Sequence, residues 1–162
     1  MSRFWSALLC SGLLLVATGC QTARPLPPAN LKEPGWTVHE GQAVWRTNRG
    51  KREVAGEFLF ATRTDGRVFV QFSKNPFPLV IAQSTASTWF AEIPTQKKRY
   101  SGHGKPPARL IWLYLPHVFA GQPPPKGWSW KTLERNGWRL ENQATGESIE
   151  GVVNDESPAQ QR

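Results

Sequence analysis

The stretch that decides the fold runs from residue 53 to 83 and reads EVAGEFLFATRTDGRVFVQFSKNPFPLVIAQ. Three runs rich in valine, phenylalanine and isoleucine, 53–63, 67–73 and 79–83, are punctuated by Asp65-Gly66 and by Ser73-Lys74-Asn75-Pro76-Phe77-Pro78. Asp-Gly between two such runs is a strong hairpin signal, because the tight turns that match strand twist need positive φ. The pattern therefore predicts antiparallel strands. A half-wet antiparallel sheet alternates apolar and polar residues. Here Phe58-Leu59-Phe60-Ala61, Val68-Phe69-Val70 and Leu79-Val80-Ile81-Ala82 are apolar at consecutive positions. Both faces need cover, which a strongly curved sheet with a covered concave side would give, and so would a two-layer sandwich.

Reading outward, β-rich runs recur at 41–47 before this stretch and at 88–93, 97–101, 128–133, 138–142 and 148–153 after it. Asn48-Arg49-Gly50, Asn136-Gly137 and Thr145-Gly146 supply further turns. One segment breaks the pattern: 108–121, ARLIWLYLPHVFAG, preceded by Pro106-Pro107 and followed by Pro123-Pro124-Pro125. It reads as a helix that Gly121 can cap. Residues 110–115 are apolar on every side, so the helix is buried, and Pro116 must kink or split it. The fold class is mainly β, with a short helical plug.

The N-terminus carries an export signal at 1–19: Arg3, an apolar core over 4–17, and small residues Ala17-Thr18-Gly19. The core is shorter than the ~20 residues that span a bilayer. Ala17-Thr18-Gly19-Cys20 resembles the lipobox of bacterial lipoproteins, which implies diacylglycerol on Cys20 and cleavage before it. An ordinary secretory signal with an incidental cysteine is the alternative. Two or three acyl chains, at ~0.8 kcal/mol per buried methylene, would make a lasting membrane anchor. Cys10 would leave with the signal, so no disulfide pair remains. Residues 20–34 then form a lipidated, proline-rich tether, 35–153 the domain, and 154–162 a disordered polar tail. Gln21, by the sorting rule of enteric lipoproteins, implies the periplasmic face of the outer membrane.

The formal charge is +8, of which Arg3 leaves with the signal. A basic domain on a membrane is drawn to anionic head groups, phosphorylated polymers or acidic proteins. A merely solvated basic surface is equally consistent, and nucleic acid fits badly with export. His39, His103 and His117 have no metal-ligand spacing, and no nucleophile elbow or zinc-protease motif occurs. The reading is a non-enzyme with no cofactor and no metal. Aromatics carry more information. Trp36, Trp45, Trp89, Trp112, Trp128, Trp130 and Trp138 suit a core, an apolar cavity or a membrane interface. Trp128 and Trp130 share a face if their segment is a strand. In the Lys74-Asn75-Pro76-Phe77-Pro78 turn, two prolines without amide donors flank a phenylalanine. They could hold it outward, with Lys74 near a phosphate head group, or it could fold back onto its sheet.

These pieces together resemble the outer-membrane lipoprotein receptor of the Lol lipoprotein-localisation pathway (LolB) and its periplasmic carrier relative. The resemblance rests on the glycine-led strand at 41–47, the long strands after it, Asn75-Pro76-Phe77, Val118-Phe119-Ala120-Gly121-Gln122-Pro123 and Gly137-Trp138-Arg139-Leu140. It implies an incomplete β-barrel whose helices close the open side over a cavity for acyl chains. It places Lys74, Asn75, Pro76, Phe77 and Pro78 on a protruding, membrane-inserting loop, Phe77 standing where the receptor has leucine. The helical region is shorter than the receptor's, and the chain ends sooner after Val153. Phe58, Phe60, Val70, Phe72, Trp89, Trp112 and Leu113 are the expected ligand-binding lining, although a one-residue slip in register would exchange the faces. The implied partners are membrane lipids, acylated lipoproteins and a carrier of the LolA type, met by a monomer. The implied function is to accept acyl chains and help insert them into the membrane. The alternative is an interaction lipoprotein with the same fold and a filled interior, binding anionic polymers or a protein.

Overall fold

A computed structural model of the chain describes residues 26–47 and 52–154. The signal at 1–19, Cys20, Gln21 and the tail beyond Asn154 lie outside the described residues. Nine strands form one antiparallel sheet that does not close on itself. They are β1 (Trp36–Arg46), β2 (Glu53–Arg63), β3 (Val68–Lys74), β4 (Phe77–Ser84), β5 (Thr88–Ile93), β6 (Lys98–His103), β7 (Trp128–Thr132), β8 (Gly137–Asn142) and β9 (Ser148–Val153). Their order is β6-β5-β4-β3-β2-β1-β9-β8-β7, two meanders joined where β9 pairs with β1. Among the described residues there is no second sheet, which removes the sandwich alternative. Leu59, Phe69 and Ile81, on the outer face, are half-buried by their own neighbours.

The turns form for the reasons the sequence suggests. Gly66 has φ +84°, and Asp65 accepts hydrogen bonds from the Arg67 backbone at 3.1 Å and from its guanidinium at 2.8 Å. Between β8 and β9, the Asn142 side chain accepts from the amides of Ala144 and Thr145. The helical region is shorter than expected from 108–121. It comprises a 3-10 turn, Ile111–Tyr114, followed by α1, Leu115–Phe119, with Pro116 in the first turn of α1. Proline lacks the N–H that a continuous helix would need there, so the segment splits. Gly121 (φ +81°) ends it, its amide donating to the Val118 carbonyl.

The segment before β1 is not a free tether throughout. A small pocket is lined by Leu26, Pro27 and Ala29 together with Trp36, Arg67, Val68 and Thr85, and Glu33 bonds Arg63 at 2.7 Å. This strap sits at the β2–β3 turn, with the Trp36 ring 5.9 Å from the Arg63 guanidinium and 5.8 Å from that of Arg67.

The sheet bends inward over glycines. Gly41 of β1 lies opposite Phe58 of β2, and a Cβ there would stand 2.7 Å from the Phe58 ring and collide with the Val152 carbonyl oxygen. Gly151 of β9 seats Trp138 of β8 in the same way, at 2.9 Å. With both rings laid over glycines, Phe58 and Trp138 meet at 5.5 Å although β1 and β9 lie between their strands. Gly102 under Trp89 and Gly56 under Phe72 repeat the device. We predict that Gly41→Ala lowers stability by about 2–3 kcal/mol through overpacking. Gly66→Ala meets no atoms and should cost about 1 kcal/mol through backbone strain alone. Urea denaturation of the two variants measures the difference.

Candidate functional site

Strand alternation sends one residue in two to the inner face. From β1 to β9 that face carries Ala43, Phe58, Phe60, Val70, Phe72, Val80, Ala82, Trp89, Trp128, Trp138, Leu140 and Ile149, all buried in one cluster. The seven residues expected to line a site, Phe58, Phe60, Val70, Phe72, Trp89, Trp112 and Leu113, all fall in it. The first five lie on strands and share the inner face, while Trp112 and Leu113 descend onto it from the 3-10 turn.

The two halves of the plug overlap at the middle of the sheet, the 3-10 turn meeting β1 and β3 and α1 meeting β2, β7 and β8. Trp112 stacks on Phe72 with centroids 4.7 Å apart and meets Trp45 edge-on at 5.7 Å. Phe119 of α1 approaches Phe60 at 4.8 Å, Trp130 at 5.0 Å and Trp138 at 5.4 Å. Tyr114 donates to the Pro106 carbonyl and so pins the entry to the plug. Trp45, Phe119, Trp130 and Trp138 thus belong to the same surface. Trp128 and Trp130 do share a face, and this alternation was the available signal for Trp130. The positions of Trp45 and Phe119 depend on pairings between distant segments.

This face is apolar but not inert. The indole N–H groups of Trp89, Trp112, Trp128 and Trp138 are buried with no acceptor among the described residues. Trp45 differs: its Nε1 donates to Oε1 of Glu147 at 3.0 Å. Glu147 lies in the β8–β9 turn, and burial raises its pKa above the ordinary value of 4.5, with the indole bond partly opposing that rise. On α1, burial pushes the His117 pKa down, so the neutral imidazole is favoured there.

The second feature is the β3–β4 tip. Lys74 pairs with Phe77 across Asn75 and Pro76, whose peptide bond is cis. Phe72 faces Val80 but Ser73 faces Pro78, which leaves Leu79 as an extra residue. That bulge re-aims the last residues of the hairpin. Pro78 is tolerated because β4 pairs with β5 only from Ile81 onward, so its missing N–H interrupts no ladder on that side. Phe77 is 67 % exposed, against 43 % for Val152 and 40 % for Leu133. It points to solvent rather than folding back, and Lys74, Asn75 and Pro76 beside it are exposed as well, with Pro78 half-buried.

No protein-family model matches this sequence, and no curated protein matches it.

The Glu147 environment has a pH signature. A carboxyl whose folded pKa is raised stabilises the fold fully below its ordinary value, and that contribution is lost as pH rises through the raised one. Replacing Glu147 with glutamine keeps an acceptor for Trp45 and removes the titration. Glu147→Gln should therefore raise the melting temperature at pH ~7 but change it little near pH ~3.5, below the ordinary value, where the carboxyl is protonated in both the folded and the unfolded chain. Thermal scans across that range read the crossover.

Proposed function

We propose that this chain is a lipid-anchored envelope protein of receptor type, whose curled sheet is an incomplete β-barrel that accepts acyl chains on its concave aromatic face. The observation that carries this reading is Phe77, 67 % exposed at a hairpin tip, where the resemblance puts the protruding loop. Leaving a phenylalanine in water forgoes ~1.5–3 kcal/mol of burial, which a bilayer interior restores. Supporting it, the concave face offers a continuous apolar surface, and its unpaired indole donors suit the carbonyl of an ester- or amide-linked acyl group. Trp112 and Phe119 occupy that surface in the structure, so uptake requires the 111–119 plug to move aside. Cys20 would hold the protein at the periplasmic face of the outer membrane. Transfer would be an exchange between apolar sites, needing no catalytic group. Cargo would arrive from a carrier and leave for the bilayer.

A second reading has its own support. Ring-to-ring packing of the plug against β1, β2, β3, β7 and β8 fills the concave side. An interaction lipoprotein with a filled interior would use its basic surface instead, for an anionic polymer or a protein.

Native mass spectrometry of the chain from Leu26 onward, with an acylated peptide and its unacylated twin, separates the two. The receptor reading expects saturable one-to-one binding of the acylated form alone. It also expects Phe77→Glu to leave that binding intact and to slow delivery into vesicles by tenfold or more, on the order of the burial term above. Absence of binding by the folded protein would leave the filled-interior reading.

A further inference from the structure

The end of the sheet that carries Phe77 also carries unpaired positive charge. Register fixes the arrangement. Ile93 pairs with Lys98 and Glu92 with Arg99, so the β5–β6 turn stands at the same end as the β3–β4 tip, with the 3-10 turn Pro94–Gln96 packed against β4. Lys97 is held at φ +53°, and Lys74, Lys97 and Lys98 are all exposed. Among the described residues, none of these three lysines makes an ion pair, and Arg52, exposed just before β2, has none either. The nearby acids are mostly engaged: Glu53 bonds Arg46 at 2.9 Å and Glu92 bonds Arg99 at 3.0 Å. Glu57, opposite Ser73, remains as the opposing charge.

The other end of the sheet is different. There Arg63 and Arg67 are matched by Glu33 and Asp65 at 2.7 and 2.8 Å, and the nearest aromatic, Trp36, has both guanidinium groups within 6 Å of its ring centroid. That end too has exposed lysines without an ion pair among the described residues, Lys32 in the strap and Lys105 after β6. What sets the Phe77 end apart is an exposed ring beside free ammonium groups on two adjacent turns.

We infer that this end is a docking surface for a bilayer bearing anionic phospholipid. Phe77 enters below the head groups, and Lys74, Lys97 and Lys98 take their phosphates. The inference rests on the membrane-touching part of the proposed function and names the surface it selects. Ammonium groups near an anionic leaflet each strengthen binding by roughly fivefold, and the effect fades beyond a Debye length. A protein partner would also meet a basic surface, but a lone aromatic, 67 % exposed on a turn, fits a deformable fluid better than a shaped surface.

The test uses the full chain with Cys10→Ser and Cys20→Ser, leaving one thiol introduced by Phe77→Cys and labelled with a polarity-sensitive dye. Vesicles are phosphatidylcholine alone or with about a third phosphatidylglycerol, a content that sets a negative surface potential. A label at Thr64→Cys, exposed in the β2–β3 turn, reports non-specific adsorption. The expected result is a blue shift at position 77 with anionic vesicles. It should be abolished at ~0.5 M salt, where the Debye length falls to ~4 Å. Binding should also weaken on the order of tenfold or more in the Lys74→Glu, Lys97→Glu, Lys98→Glu triple variant. A shift equal in both vesicle types and indifferent to salt would overturn the anionic preference while leaving Phe77 as a membrane contact. No shift in either vesicle would overturn both. Equal shifts at positions 64 and 77 would overturn the end-on surface. The salt arm decides the matter even if the triple variant fails to fold.

Discussion

A ring seated against a glycine is what allows this sheet to turn in on itself. The concave side of a bent sheet has less room than the convex side, and every inward side chain competes for it. Placing Gly41, Gly151, Gly56 and Gly102 beneath Phe58, Trp138, Phe72 and Trp89 lowers the ring layer onto the backbone. Strands that would otherwise be held apart by side-chain bulk can then converge. The aromatic residues come closer to the backbone than any side chain on the facing residue would allow, which offsets the poor intrinsic preference of glycine for strands.

The rest of the architecture follows from that convergence. Once Phe58 and Trp138 meet across two intervening strands, the remaining opening is small. A plug of only nine residues, Ile111 to Phe119, then suffices to cover it. Its brevity is set by proline at both approaches, and Trp112 and Phe119 between them meet rings on β1, β2, β3, β7 and β8. Pairing of β9 with β1 is the long-range step that brings the two meanders together. Its hydrogen bonds run beside the very glycines that permit the bend.

How much of this could be read from the chain depended on distance along it. Hairpins at Asp65-Gly66, Asn136-Gly137 and Thr145-Gly146 are local, and the strands around them were legible almost to the residue. The shared face of Phe58, Phe60, Val70, Phe72 and Trp89 was legible because alternation within each strand and tight turns between them fix register. The plug was overestimated, since an apolar run bounded by Pro107 and Gly121 says nothing of how few of its residues turn into helix around Pro116. Phe77 was legible as a tip, but its exposure was not: the bulge at Leu79 arises from the match of β3 to β4. The glycine seats were invisible for a related reason. Gly41 reads as a weak strand residue until Phe58 and Val153 are known to flank it. Docking of the strap depends on Glu33 finding Arg63 across thirty positions, a pairing no local pattern announces.

That strap also gives the molecule a polarity. The chain enters the sheet at the β2–β3 turn, and Phe77 stands at the far end of β3, roughly 20 Å away at ~3.3 Å per residue. Five residues separate Cys20 from Leu26, and the six steps between them reach at most ~20 Å even fully extended. If Cys20 is held in a bilayer while the strap stays docked, an upright domain turns Phe77 away from that bilayer, toward whatever lies across the gap. Meeting its own membrane demands that the domain recline or that the strap peel off, which lengthens the leash to sixteen residues before Trp36. With Cys20 so held, the Glu33–Arg63 ion pair would be one of the contacts that hold the strap docked and the domain reaching outward.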